Sequence, residues 1–301
     1  MMKITLRQLE VFAAVATHGQ VTRAAQAVAL TQAAASMALA DLEHQLGMPL
    51  FHRHGRQWQL TDGGREALAL ARDVLDRVDD IESIAAGQHA SFDLRLGASV
   101  TIGNHLVPGL LATLKRQHPA GRIQVSRHNT EQVAARLRSF QIDLGMIEGP
   151  VHDASIRCLP WRHDELKVFV APDHPLAHQE AGPEVLSALS WVVRERGSGT
   201  REHLDRALQD AGITPQIALE LEQPEAVRQC VRLGLGAGCL SLLELHEAFQ
   251  ARVLAPVHTP TLALTRPLRL ALHADKHLTR GIRAVLQACG VDADTPARPA
   301  D

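Results

Sequence analysis

At residue 91 the texture of the chain changes, and that change limits the folds open to it. Beyond this point short apolar runs alternate with amphipathic segments. Strands are expected at 94–96, 123–125, 144–147, 166–170, 191–193, 217–221, 238–240 and 268–273, and helices at 104–116, 131–139, 201–211, 224–233 and 278–289. Such alternation predicts a mostly parallel sheet with helices on both faces, built as one large sheet or as two smaller lobes. Before residue 91 the pattern is helical, broken by a single short hairpin signal.

At 301 residues the chain is long enough for two or three domains. A hydrophobic fraction of 46% and a charged fraction of 21% exclude disorder and collagen-like structure. With six Phe, three Trp and no Tyr, the core has to be aliphatic. The long uncharged run at 24–40 contains Gln26, Thr31, Gln32 and Ser36, so it reads as a helix of a soluble domain and not as a membrane span. Arg7 and Glu10 interrupt any secretion signal, so the expected location is the cytoplasm. There, Cys158, Cys230, Cys239 and Cys289, scattered and without a CxxC pair, are expected as buried thiols. The 17 histidines are dispersed, and the tight pair His52 and His54, beside Arg53 and Arg56, reads as a basic loop with no metal.

The net charge of −2 excludes wholesale electrostatic binding of nucleic acid, but residues 1–65 hold six Lys/Arg against four acids, a local excess of +2. Leu6, Leu9, Val11, Phe12 and Val15 form a helical stripe that Gly19 ends. Thr22 is expected to cap a second helix over 23–29, and Thr31 a third that runs to Leu46 and stops at Gly47. Ala35, Leu39, Leu42 and Leu46 seat that third helix, leaving Gln32, Ala33, Ser36, Met37 and Ala40 on a small, polar face narrow enough for a major groove. Gln32 has the paired groups that read adenine, Ser36 a hydroxyl for a base or phosphate, and Ala33 and Met37 smooth surfaces for thymine methyls. Arg53 and Arg56 sit on the hairpin loop, where a wing would neutralise phosphates. Three helices and a hairpin in this order make a winged helix-turn-helix.

The next helix, 61–86, repeats Ala67, Ala71, Val74, Val78, Ile81 and Ala85 at spacings of four and three, a coiled-coil seam for pairing two chains. Asp73, Asp76, Asp79, Asp80 and Glu82 are expected to keep the rest of it solvated.

The run Leu6-Arg7-Gln8-Leu9-Glu10-Val11-Phe12, with Thr22-Arg23-Ala24-Ala25, Gln32 to Ser36, Asp41-Leu42-Glu43, Leu46-Gly47-x-Pro49-Leu50-Phe51-x-Arg53 and Leu60-Thr61-x-x-Gly64, resembles the LysR-type transcriptional regulators. Carried over, Gln32, Ala33 and Ser36 take base-reading positions, Arg53 a phosphate position, and Thr22 and Arg23 lie near the backbone. Gln20, in place of the usual Ser, and Ala33-Ala34-Ala35 depart from the pattern and shift specificity toward apolar contacts and DNA shape. The resemblance implies an α/β architecture in which the winged helix-turn-helix (1–60) and a linker helix (61–90) precede a two-lobed effector domain. That domain (91–290) would have the type 2 periplasmic-binding-protein fold, with lobe 1 at 91–163 and 267–290 and lobe 2 at 164–266. The tail 291–301, rich in Pro, Ala and Asp, is expected to be disordered.

That fold holds ligands between its lobes, beside strand-to-helix junctions. Ser99 and Thr101 follow the first strand, Asn129 and Thr130 the second, and Glu148 the third. In the second lobe Arg194-Glu195-Arg196-Gly197-Ser198-Gly199-Thr200-Arg201 forms an anion nest, in which Ser198, Gly199 and Thr200 are the effector-binding candidates. This run, with Trp161-x-x-Asp164-Glu165-Leu166 and Pro172-x-His174-Pro175-Leu176, is similar to the subgroup serving sulfur assimilation and carbon fixation. An ionised Glu148 would oppose an anion, so either the effector carries a donor or positive group or an arginine neutralises that carboxylate.

An enzyme fits poorly. GxxxxGK[ST], HExxH and GxSxG are absent, and Gly234-x-Gly236-x-Gly238 precedes a strand and has Cys239 where a third glycine would stand. A secreted solute-binding protein would lack the DNA-reading head. The expectation is a regulator with no catalytic residues, no metal and no cofactor. Its partners would be double-stranded promoter DNA, a small anion or organic acid as effector, RNA polymerase, and further copies of itself as homodimer or homotetramer, with no membrane.

Overall fold

The structure is a computed structural model that describes residues 3–54, 57–86 and 91–292. The expectations for Arg56 and for the tail at 293–301 lie outside these residues.

The head comprises α1 (Leu6–His18), α2 (Val21–Ala27), α3 (Gln32–Leu46) and the antiparallel hairpin β1 (Phe51–His54) and β2 (Gln57–Leu60). Thr5 and Gln8 close a capping box at the start of α1, while Gly19 (φ 65°) and Gly47 (φ 69°) take the left-handed conformation that ends α1 and α3. The second helix starts two residues earlier than expected. Val21 is drawn into the head core, so Thr22 stands inside the first turn, and the cap position falls to Gln20, whose side chain makes no capping bond. Val11, Phe12, Val15, Ala24, Ala35, Leu39, Leu42 and Leu50 fill the core.

The long helix α4 (Asp62–Ala86) alters the first part of the expected seam. Leu68 and Ala71 are buried in the core of their own head, and Ala67 packs against it. The apolar side chains left outside are Leu70, 69% exposed, with Val74 and Ile81. The first turns of α4 thus serve the head and take Ala67 and Ala71 from the seam, while Val74 and Ile81 of the expected seam stay exposed and Leu70 joins them.

From residue 93 a nine-stranded sheet runs in the order β4-β3-β5-β11-β6-β9-β7-β8, with β10 on β6. In chain order its elements are β3 (Asp93–Ser99), α5 (Val100–His105), α6 (Val107–Gln117), β4 (Arg122–His128), α7 (Thr130–Arg138), β5 (Leu144–Ile147), β6 (Ile156–Val170), α8 (Pro183–Ala188), β7 (Ser190–Arg194), α9 (Gly199–Asp210), β8 (Gln216–Leu221), α10 (Pro224–Arg232), β9 (Ala237–Ser241), α11 (Leu242–Gln250), β10 (Ala255–Val257), β11 (Thr265–His273) and α12 (Arg280–Ala288). The pairs β3–β4, β3–β5, β7–β8 and β7–β9 are parallel. Between them β6 and β11 run antiparallel, so two strands form the middle of the sheet and link its halves. Up to Glu165, β6 pairs with β11; from Leu166 it pairs with β9. Each half has an apolar cluster on either face, one of them built on Leu94, Leu96, Leu110, Leu270 and Val285.

The helix expected over 104–116 is two helices that break at Leu106. Pro108 has no N–H for the Asn104 carbonyl, so the two turns cannot share one hydrogen-bond ladder. Strand β6 begins ten residues earlier than expected, and α8, α11 and β10 were not anticipated.

Candidate functional site

In the head, Thr31 Oγ1 accepts from Ala34 N at 3.2 Å and starts α3 at Gln32. Ala35, Leu39 and Leu42 are fully buried, which turns Gln32, Ala33 and Met37 (67% exposed) outward, with Ser36 half-buried beside them. Thr22 and Arg23 are exposed at the start of α2. Arg53 on β1 pairs with Glu43 of α3 at 3.0 Å and stacks over Trp58 of β2, 4.6 Å from the ring centroid. Glu43 also accepts from Leu50 N at 2.8 Å. One carboxylate thereby fixes the wing to the helix that would enter the groove. This structural role for Glu43 was not anticipated.

The second site lies where the two halves of the sheet meet. β3, β4, β5 and β7 are mutually parallel within their halves, and their carboxyl ends deliver Ser99, Thr130, Glu148 and Ser198. Crevices outside the carboxyl ends of parallel strands are where α/β folds bind ligands. Ser99, Thr101, Thr130, Glu148, Ser198 and Thr200 are all buried. Four polar atoms there have no hydrogen-bond partner among the described residues: Ser99 Oγ, Thr130 Oγ1, Glu148 Oε2 and Arg194 Nη1. Buried polar groups are nearly always paired, so orphans gathered in one place mark where a ligand or water belongs.

Two of the expected residues have other work. Asn129 caps α7, accepting from Gln132 N at 2.9 Å, while its amide donates to Glu195 Oε1 at 3.3 Å. Thr200 Oγ1 accepts from Arg266 Nη1 at 2.9 Å. Gly199 is needed for closure: a Cβ on it would stand 2.6 Å from Gly149 N, so the backbones of the two halves touch.

Arg266 organises the floor and was missed. It is 0% exposed, its Nε donates to Asp164 Oδ2 at 2.8 Å, and its Nη1 lies 3.9 Å from Glu148 Oε1. Asp164 in turn accepts from Ser241 Oγ at 2.7 Å. Period-two alternation held the signal, since Arg266, Leu268 and Leu270 share the inward face of β11. Arg194 is clamped by Glu195 through Nε at 2.9 Å and Nη2 at 3.1 Å. Burial pushes the Glu148 carboxyl up to about 7 against the opposing pull of Arg266 and Arg194. Arginines therefore stand near Glu148 but do not outweigh its burial, and its Oε2 is left without a partner among the described residues. Beside this closed floor a cavity of about 590 Å³ opens between α7 and α9, lined by Thr130, Arg138, His152, Arg196, Gly197 and Glu202 among others.

Among the described residues no His/Cys/Asp/Glu group could hold a metal ion, and no helix is long and apolar enough to cross a membrane.

Comparison with known proteins fits these two sites. Residues 6–65 match the bacterial regulatory helix-turn-helix protein model of the lysR family, and residues 87–292 the LysR substrate binding domain. The HTH-type transcriptional regulator YeiE of Escherichia coli (strain K12) is 40% identical over 288 residues, covering 96% of this chain and 98% of that protein. The RuBisCO operon transcriptional regulator of Allochromatium vinosum is 33% identical over 83% of this chain and 84% of its own. In fold, the chain is similar to a full-length OxyR variant from Pseudomonas aeruginosa, with TM-score 0.79, 24% identity, and coverage of 100% of this chain and 99% of that one. The chain belongs to the LysR family, whose members are transcriptional regulators and not enzymes.

Proposed function

We propose that this regulator reads promoter DNA with Gln32, Ala33, Ser36 and Met37, steadied on phosphates by Thr22, Arg23, Arg53 and Arg56, and that a small anionic effector in the interlobe cleft modulates the binding. The cleft reading is carried by the four orphaned polar atoms beside Arg266. Their mixture of donors and acceptors suits a small oxyanion or organic acid that presents oxygens to Arg194 and Arg266 and a hydroxyl or proton to Glu148. Ser99, Thr101, Ser198 and Thr200 surround it, and no cofactor is required. Residues 1–60, 61–90 and 91–290 act as head, linker and effector domain.

The chain acts in the cytoplasm as a homodimer or homotetramer whose output reaches RNA polymerase. Pairing is supported by the apolar groove of about 320 Å³ between α1, α3 and α4, lined by Leu6, Leu9, Leu46, Leu70 and Val74. Its occupant is α4 of a second copy, whose exposed stripe is of the same chemistry. Two heads then face an interrupted inverted repeat.

Thermal melting of the purified chain against small oxyanions, sulfur metabolites and carboxylic acids tests the cleft. A ligand at 100 times its dissociation constant stabilises by about 2.7 kcal/mol, and Ser99→Ala or Thr200→Ala reduces that gain. A stabilising ligand whose effect is untouched by both substitutions refutes the site. For the head, Arg53→Gln lowers the slope of log affinity against log salt by about 1, and no preference for any genomic fragment over bulk DNA at physiological salt refutes the promoter reading.

A further inference from the structure

Strands β3 and β5 lie side by side in parallel register, with Leu96 opposite Leu144, Gly97 opposite Gly145 and Ala98 opposite Met146. At their carboxyl ends stand Ser99 and Glu148, in the cleft. At their amino ends, about 13–16 Å away at ~3.3 Å per residue, stand Arg95 and Asp143. Asp143 Oδ2 accepts from Arg95 N at 2.8 Å and from Arg95 Nε at 3.0 Å, and Asp143 Oδ1 is 3.2 Å from Lys276 Nζ. Lys276, on the loop after β11, also donates to Asp76 of α4. The following backbone amide, His277 N, donates to Asp73 Oδ1 of the same helix at 3.2 Å. Next to Asp73, the buried Arg72 donates through Nη2 to Thr17 Oγ1 of α1 at 3.0 Å.

An unbroken path of contacts thus runs from the cleft along two rigid strands to α4, and through Arg72 into the DNA-reading head. The Lys276 side chain is only 2% exposed and Asp143 is buried with it. A buried ammonium and a buried carboxylate tolerate separation poorly, so this junction shifts or breaks as a unit and does not yield gradually. We propose that Asp76, Asp143 and Lys276 are the positioning residues that carry movement of the cleft to the head. This rests on the cleft being the effector site.

Coupling between cleft and head is measured directly by forcing the cleft open and cutting the junction. Gly199→Ala opens the cleft without any ligand, because the added Cβ meets Gly149 N at 2.6 Å and the two backbones have to part. Gly149→Ala is a second wedge, its Cβ meeting Gly199 Cα at 2.9 Å. Each wedge is measured in the full chain, alone and combined with Asp76→Asn, for affinity toward a genomic fragment that the unaltered protein selects. Melting curves verify that every variant folds, and Lys276→Met replaces Asp76→Asn if that variant does not.

The wedge is expected to change DNA affinity about fivefold in the otherwise unaltered chain, and to lose that effect when the junction is cut. A wedge effect of equal size in both backgrounds overturns the proposal, and so does a folded wedge variant with unchanged DNA affinity. Neither result bears on whether the cleft binds an effector, which the ligand melts on the unaltered chain decide separately.

Discussion

The two buried charge networks of the effector domain sit at opposite ends of the same strands and differ in one respect. At the junction with α4, burial alone would raise the Asp143 carboxyl, but the charge and hydrogen bonds of Arg95, joined by Lys276, hold it down to about 2. In the cleft, Arg266 stands farther from Glu148, at 3.9 Å, and burial prevails, pushing that carboxyl up to about 7. The Asp143 carboxylate is matched by its own chain, and that of Glu148 is short of partners. Satisfied buried charge is structure, and under-satisfied buried charge is a place kept for something else.

That contrast can be broken in four ways, in order of decreasing effect. Asp143→Asn takes from Arg95 its paired carboxylate and leaves Lys276 with Asp76 alone, and is expected to cost about 3–5 kcal/mol in urea unfolding; a loss under about 1 kcal/mol would mean that Asp143 does not hold the junction. Arg266→Gln should remove about 2–5 kcal/mol of effector binding in calorimetry, because it takes the charge from the cleft floor. Effector binding within twofold of the unaltered protein would place the ligand elsewhere.

The third is a matter of pH, and the two carboxyls predict opposite signs. Glu148 is raised on folding, so the stability it contributes is complete below about 4.5, its ordinary value, and is lost as pH rises through about 7. Asp143 is lowered, so its contribution is present above about 3.8 and is lost as pH falls through about 2. Glu148→Gln should therefore flatten the stability profile between pH 5 and 7 and leave the acid limb unchanged. It should also remove the weakening of anion binding, about tenfold per pH unit above 7, expected where an ionised Glu148 opposes the ligand. The smallest effect belongs to Asn129→Ala, which loses a helix cap worth about 1 kcal/mol of stability while effector affinity stays within threefold. A larger loss of affinity would return Asn129 to the ligand.

Local and long-range determinants divide what sequence reading reaches. The head was legible almost to the residue, because its determinants are local: Thr31 capping α3, Gly19 and Gly47 stopping helices, and Ala35, Leu39 and Leu42 on one face. Its slips are two: α2 lies two residues earlier than expected at both ends, because the hydroxyl of Thr22 was weighed above the burial of Val21, and Leu46, expected to seat α3, is 37% exposed at its end. In the cleft, Ser99, Thr130, Glu148 and Thr200 could be found because strand-to-helix junctions mark themselves in sequence. Arg266 and Asp164 are 102 residues apart in the chain, and no local rule pairs them. The junction was read wrongly for the same reason: Asp76 and Asp73 look like solvated acids until Lys276, 200 residues beyond Asp76, and the backbone of His277 are brought against them. Strand β6 was expected only over its last five residues because Arg162, His163 and Glu165, all exposed, hide a continuous extended run.

The touching backbones of Gly149 and Gly199 have a consequence in time. If the effector sits behind them, as proposed, it would leave only when the two halves of the sheet part about the β6–β11 pair, and its departure would be gated by that opening more than by the strength of its own contacts. Two effectors of very different affinity would then share one ceiling on release. The regulator would forget its signal at a rate written into its hinge, which stopped-flow dilution of bound ligand would read as an off-rate independent of ligand chemistry.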